Sequence, residues 1–406
     1  MAEQNCEYIP LKLPYSEFNG PNRTRLHDLD LSHNQLSSIR NLDSLPSLSA
    51  LDLRYNQLDG LETTAALPNL QSLKLSNNIL RTLDVGAFPS LNLLYVDQNF
   101  LRSVSGLDKC QSLEVLSARE QMNGDVDGGI FDIDLGLVKD LRKAFLSSNR
   151  LSMQSLSPSS PLLSLQLLDI ASCSIQGLPV DFASSFPNVV VLNLNFNSLT
   201  GLNELSGLKC LARLAAAGNN ITRLRRLCQV LSHIGRTSKG RACSLQKVDI
   251  RGNPLTVRFY PPAVIGNGKA NVKKLKAKEE LGQRRHDGLD LPSALAEFGH
   301  SGDVTHPATL GEEELPNPAK EIEIDDPYTL PLADPLADQR YLSHLDEPTR
   351  LRRRVFELML YAGTGGSIRL LDGLELRPSV DEGSDMDRAW AKLEKLGVLK
   401  KKAITA

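Results

Sequence analysis

The chain holds 406 residues, with 46 Lys and Arg against 48 Asp and Glu for a formal charge of −2. So balanced a charge excludes a global field for nucleic acid or an anionic membrane, and no stretch approaches the ~20 apolar residues a membrane helix needs. Six scattered cysteines (Cys6, Cys110, Cys173, Cys210, Cys228, Cys243) show neither Cys-x-x-Cys zinc spacing nor flanking disulfide clusters, which points to a reducing, intracellular compartment.

In chain order, Met1–Pro10 has no apolar core and does not read as a signal peptide; residues 1–22 form a lead-in. Across residues 23–262 the pattern Leu-x-x-Leu-x-Leu-x-x-Asn-x-Leu, or a close variant, recurs ten times. The first copy is Leu26, Leu29, Leu31, Asn34, Leu36 and the second Leu48, Leu51, Leu53, Asn56, Leu58. The polar position is then held by Asn78, Asn99, Gln121, Asn149, Cys173, Asn197, Asn219 and Asn253. Leu-x-Leu alternates apolar and polar, the period-two mark of a half-buried strand. The Asn that follows sits where the backbone turns, and its amide can satisfy backbone groups of adjacent coils. Cys173 is a weak donor of similar size and a plausible substitute; Gln121 is longer and is expected to fit this ladder less well.

Successive polar positions lie 22, 22, 21, 22, 28, 24, 24, 22 and 34 residues apart. The repeat therefore resembles the short intracellular type of leucine-rich repeat, similar to those of phosphatase regulators and dynein light chains. The expected fold class is α/β: a leucine-rich-repeat solenoid of the 22-residue type with a concave parallel β-sheet, convex turns or 3₁₀ segments, and a C-terminal helical cap. Ten strands at ~4.8 Å give a sheet on the order of 45–50 Å long, large enough to grip a partner helix or domain. Such surfaces usually bind rather than catalyse.

Two steps are too long. The 28-residue step carries Gly124, Gly128 and Gly129 among Asp125, Asp127, Asp132 and Asp134; it lacks EF-hand ligand order and reads as a solvated convex loop. The 34-residue step places Leu224, Leu227, Val230, Leu231 and Ile234 at helical spacing, so a convex helix is expected over 223–234, ended by Gly235 and followed by basic Arg236, Lys239 and Arg241. Residues 263–340 are rich in charge, Pro and Gly, with a basic run (Lys273 to Arg285) and an acidic one (Glu312 to Asp326), and read as a flexible insertion.

Order is expected again near Tyr341. Asp346 reads as an N-cap, Pro348 falls in the first turn, and Leu351, Val355, Leu358 and Met359 make an apolar stripe with Arg350, Arg352, Arg353 and Arg354 on the other faces. The segment Ile368 to Leu376, with Asp372-Gly373, resembles a closing half-repeat, so 341–378 are expected to cap the core. Residues 379–406 read as a terminal helix, bearing the single Trp390, and a basic tail.

The residue between the last two leucines of each strand points out of the concave sheet. Down the repeats these are Asp30, Asp52, Lys74, Tyr95, Ser117, Phe145, Asp169, Asn193, Ala215 and Asp249. Tyr95 and Phe145 stand out as rings on an exposed face, and Arg54, Tyr55, Arg119, Phe196 and Arg251 just beyond the strands complete the candidate protein-binding set. The Asn ladder (Asn34, Asn56, Asn78, Asn99, Asn149, Asn197, Asn219, Asn253) reads as structural. No P-loop, nucleophile elbow or His-Glu-x-x-His is present, so no catalytic, cofactor or metal residues are assigned and the chain reads as no enzyme. His27-Asp28 with Asp30 reads as a solvated strand face rather than an acid–base cluster.

Two segments carry a closer resemblance. Asn253-Pro-Leu-Thr-Val-Arg-Phe-Tyr-Pro-Pro262, and Tyr341 to Val355 followed by Leu371-Asp-Gly373, resemble the leucine-rich domain of the fungal spindle-pole-body scaffold of the septation initiation (mitotic exit) network, related to animal centriolin. The resemblance implies a non-enzymatic scaffold in the cytoplasm and cytoskeleton, at the spindle pole body. Its implied partners are a pole-body anchor, GTPase regulators and kinases, with no nucleic acid, membrane or cofactor. The alternative is a regulatory subunit of a protein phosphatase or another intracellular adaptor.

Overall fold

A computed structural model of the chain describes residues 26–39, 42, 45–61, 66–121, 129–235, 243–261 and 333–376, together with 388, 391, 392 and 395. Each repeat contributes one three-residue strand: β1 (Asp28–Asp30), β2 (Ala50–Asp52), β3 (Ser72–Lys74), β4 (Leu93–Tyr95), β5 (Val115–Ser117), β6 (Lys143–Phe145), β7 (Leu167–Asp169), β8 (Val191–Asn193), β9 (Arg213–Ala215) and β10 (Lys247–Asp249). They pair in chain order, all parallel, and the register never slips: Leu29 faces Leu51, Leu51 faces Leu73, and so on to Val248. β11 (Leu370–Leu371) continues the parallel sheet, and β12 (Leu374–Glu375) turns back antiparallel. Because a one-residue slip would turn every leucine outward, a constant register is what the repeated apolar position enforces. The inward leucines form one continuous core from Leu36 to Leu371.

The ladder shows why the coil turns where it does. In Asn56, Nδ2 donates to Leu31 O of the preceding coil and Leu53 O of its own, while Oδ1 accepts from Leu36 N. Asn78, Asn99, Asn219 and Asn253 repeat this arrangement. Gln121 corrects the expectation of a poor fit: Oε1 accepts from Leu101 N and Nε2 donates to Val96 O and Arg119 O. The extra methylene is accommodated in the coil carrying the 28-residue step, where the backbone amide of Gln121 itself bonds to Asn149 Oδ1. Cys173 keeps the donor half, with Sγ 3.3 Å from both Leu146 O and Ala171 O. Burial pushes its thiol up to about 12, so it is a structural sulfur rather than a reactive one.

One regularity carries no sequence mark. The residue before each ladder position (His33, Tyr55, Asn77, Gln98, Glu120, Ser148, Ser172, Phe196, Gly218, Gly252) has φ between 51° and 71°. The coil imposes a left-handed residue there, whatever side chain occupies it. At Gly218 glycine is also required by space, since a Cβ would lie 2.5 Å from Phe196 Cδ1.

On the convex side lie 3₁₀ segments such as Leu107–Lys109 and Asn203–Gly207, a single turn α1 (Phe182–Ser185), and helix α2 (Leu224–His233). α2 occupies the 34-residue step, burying Leu227, Val230 and Leu231, and Gly235 follows it at φ 77°. In the 28-residue step, Asp134 caps a 3₁₀ turn by accepting from Gly136 N; 122–128 lie outside the described residues, as do 236–242, 262–332 and Trp390.

The cap is built from α3 (Pro335–His344), α4 (Glu347–Thr364), β11 and β12. Asp346 caps α4 by accepting from Thr349 N, and Gly365 ends it at φ 65°. α4 packs on α2, burying Val355, Phe356, Leu358 and Leu360. Two readings are corrected here. Helix α3 starts at Pro335, ahead of Tyr341, because Asp334 and Pro335 serve as its N-cap and first-turn residue. Arg353 is no solvated face residue: its guanidinium forks Asp338 at 2.8 and 2.7 Å, donates to Phe259 O, and lies 4.7 Å over the Tyr260 ring.

Beneath this pair, Tyr260 Oη donates to Asp372 Oδ2, and Asp372 Oδ1 accepts from Ile250 N. Burial, with the neighbouring Asp249 carboxylate, raises the Asp372 pKa to about 7, against the partial compensation of Arg251. A carboxyl whose folded-state pKa exceeds its unfolded value contributes stability that is whole below pH ~4 and lost as pH rises through ~7. Asp372→Asn, which keeps the acceptor for Ile250, should therefore gain on the native chain by at least ~1 kcal/mol between pH 5 and pH 8. Denaturant midpoints of both proteins at the two pH values check this; a constant difference would refute it.

Candidate protein-binding face

The outward side chains of β1 to β10 line up in two columns on the concave sheet. The column after the central leucine runs through Tyr95, Ser117, Phe145, Asp169 and Asn193. Tyr95 is half-buried, and burial raises the pKa of its hydroxyl. Phe145 is not the exposed ring expected: it is only 3% exposed. The Arg119 guanidinium lies 4.5 Å over its face, with Nε 3.7 Å from Asp169 Oδ2. A cation over an aromatic face shields the ring while presenting its own edge.

Around Arg119 the acids are held from water. Asp97 accepts from Ser117 Oγ at 2.6 Å and from Arg119 N at 2.7 Å, and Asp169 accepts from Asn193 Nδ2 at 2.9 Å. Desolvation by burial raises both carboxyl pKa values. The structure thus brings Tyr95, Arg119 and Phe145 together in one patch.

The other candidates lie apart. Arg54 forks Asp52 through Nε and Nη2 at the N-terminal end, and the neighbouring Tyr55 is 38% exposed and stacks on His33 with centroids 4.3 Å apart. Phe196 is 40% exposed near the other end. Arg251 is corrected outright: at 1% exposure it is locked to Asp249 and sits under the cap. It belongs to the fold, because β11 and Gly373 cover it.

The column before the central leucine was missed by the sequence reading. It runs Asp28, Ala50, Ser72, Leu93, Val115, Lys143, Leu167, Val191, Arg213, Lys247. Four of these are half-buried aliphatic residues on an outward face. The signal was present as apolar doublets (Leu93-Leu94, Val115-Leu116, Leu167-Leu168, Val191-Leu192) in place of polar–leucine pairs. Among the described residues, no three or more His, Cys, Asp or Glu side chains converge as a metal site, and no helix is long and apolar enough to cross a membrane.

Residues 164–221 match the family "Leucine rich repeat" and residues 24–63 match "Leucine Rich repeats (2 copies)". A curated relative, the septation initiation network scaffold protein cdc11 of Schizosaccharomyces pombe, is 35% identical over 276 residues, 68% of this chain. The chain spans 25% of that relative's length. Similar solved structures include the functional domain of InlJ from Listeria monocytogenes (20% identity, 56% of this chain and 44% of that one, TM-score 0.43). YopM from Yersinia enterocolitica is another (27% identity, 57% and 47%, TM-score 0.38).

Proposed function

We propose, from the premise that this chain is a leucine-rich-repeat protein and a homologue of a septation initiation network scaffold, that it is a non-enzymatic scaffold holding protein partners on its concave face. The observation that carries the reading is the stretch of that face between β4 and β8. There aliphatic side chains and Tyr95 remain half-exposed beside Arg119, where solvation alone would place polar groups. Mixed apolar and Arg surface of this kind suits a protein interface, whose hot spots are enriched in Tyr and Arg. Arg54, Tyr55 and Phe196 extend it toward both ends. The proposed location is the spindle pole body, and the proposed partners are the anchor, GTPase regulators and kinases that couple mitosis to cytokinesis.

Tyr55 and Phe196 place exposed rings at the left-handed position that every coil imposes.

The test of location is a fluorescent tag at the native locus, expected to give paired foci at mitotic spindle poles. Diffuse signal with a co-purifying phosphatase catalytic subunit would favour the regulatory-subunit alternative. For the face itself, Tyr95→Ala is expected to weaken capture of pole-body partners by about tenfold, while stability changes by less than ~1 kcal/mol. Phe145→Ala is unsuited to this test because it truncates a buried ring.

A further inference from the structure

We infer that Ser157, on the convex side between β6 and β7, is a phosphorylation site for a proline-directed protein kinase, and that its phosphate loosens the turn it closes. The inference goes beyond the scaffold reading and is tested apart from it.

Of the 22 prolines in the chain, two follow a serine or threonine, Pro158 and Pro161, and both lie in the stretch Ser157-Pro-Ser-Ser-Pro161. A proline-directed kinase selects the residue after its target because proline carries no N–H, and a pocket without an acceptor strands the amide of any other residue there. Ser157 meets the other demands of such a cleft. It is exposed and closes the 3₁₀ segment Gln154–Leu156. Its φ of −123° and ψ of 72° keep it out of the helical region that a following proline disfavours. From Ser157 to Gln166 the chain holds neither helix nor strand. The backbone amide of Ser159 bonds to Asp134 Oδ1 at 3.0 Å, an exposed tether that opens at low cost.

Ser160 carries the same dipeptide and is the poorer target. It is half-buried, and its Oγ donates to Gly136 O of the preceding coil, in the 3₁₀ segment Leu135–Leu137. The two segments pack closely, since a Cβ on Gly136 would lie 2.5 Å from Ser160 N and 2.8 Å from Ser159 Oγ.

The surroundings decide what a phosphate does. The Ser157 hydroxyl donates to Asp181 Oδ1 at 3.3 Å. The same stretch leans on two further acids. Asp132 accepts from Ser152 Oγ at 2.6 Å and Ser155 Oγ at 3.3 Å, and Asp134 accepts from Ser159 N and Gly136 N. In the transfer, Ser157 Oγ bonds to the γ-phosphorus of a nucleoside triphosphate and the bond from that phosphorus to the β-phosphate oxygen breaks. The diphosphate leaves, and the hydroxyl proton passes to the catalytic carboxylate of the kinase. The product has lost its donor and carries a charge of about −1.5 to −2 beside Asp181, at the carbonyl end of a 3₁₀ turn, where phosphate repels rather than orders. The turn held by Ser157 N to Gln154 O is the element that gives way.

The test incubates the full chain and ATP with two proline-directed kinases in turn, one mitogen-activated and one cyclin-dependent, and maps the phosphate by peptide mass spectrometry. Ser157 is expected to take most of the label from at least one of them. Ser157→Ala, at an exposed side chain, should lose that label, and Ser160→Ala should keep it. Amide exchange over residues 152–160 is expected to quicken by about tenfold on phosphorylation, and by only about threefold in Asp181→Asn, which removes the facing charge. No label from either kinase, label that appears only after denaturation, or equal label on Ser160 would overturn the site. Labelled Ser157 with unchanged exchange, or a quickening that Asp181→Asn leaves whole, would overturn the loosening.

Discussion

Asp338→Ala is expected to destabilise the protein by about 3 kcal/mol, because it strands a guanidinium that the fold has removed from water. Arg353 is 5% exposed and Asp338 is 7% exposed, so neither charge can be hydrated in place. The fork supplies two charge-assisted bonds in the fixed geometry that matches a carboxylate. With Asp338 gone, Arg353 keeps Glu357 Oε1 at 2.9 Å and Phe259 O, which holds the cost at the lower end of the range for broken buried pairs. The contact joins α3 to α4 and, through Phe259 and Tyr260, to the segment after the last full repeat. The loss should therefore appear as opening of the cap before the repeats unfold. Adding Arg353→Met to Asp338→Ala should recover much of the loss, since an apolar side chain of similar length removes the stranded charge. Denaturant midpoints of the single and double variants measure this. A single variant within ~0.5 kcal/mol of the native chain would show that the pair does not anchor the cap.

That pair also marks the limit of what the residues alone reveal. The solenoid was legible because the central strand position is leucine facing leucine one repeat away, with Ala144 and Val248 as the apolar exceptions, so the pattern along the chain is the pattern in space. α2 was legible for the same local reason, as an apolar stripe at helical spacing ending at glycine. Arg353 was misread because its partner lies on another helix, in a stretch whose charge and proline content reads as solvated chain. Phe145 was misread because its cover, Arg119, comes from the preceding coil, and nothing in the sequence around Phe145 announces it. The aliphatic column was legible in principle. Its residues show only as apolar doublets, because a three-residue strand presents two outward columns and the first residue of each doublet also reads as core.

The ladder gives the second large effect, and its size depends on position. Asn219→Ala is expected to cost about 3 kcal/mol, since it removes four backbone partnerships at once in a buried turn. Oδ1 accepts from Leu199 N at 3.1 Å, and Nδ2 donates to Leu194 O at 2.9 Å, Ala216 O at 3.1 Å and, more weakly, Ala217 O at 3.3 Å. Each backbone group left without a partner retains its full desolvation cost, which exceeds the net worth of the bond itself. Asn34→Ala should cost less, by about 2 kcal/mol, because Asn34 is half-exposed and, among the described residues, its amide donates to Leu31 O and Ser32 O of its own coil. Asn219→Cys should fall between, as it recreates what Cys173 does: the sulfur keeps weak bonds to carbonyls and offers no oxygen to the neighbouring amide. In a stack where each coil touches only its neighbours, a fault at Asn219 weakens the interface between two blocks of repeats. The Asn219→Ala chain should therefore unfold in two steps by circular dichroism, and the Asn34→Ala chain in one. Equal costs for the two substitutions would mean that the ladder acts within coils and does not bind them to one another.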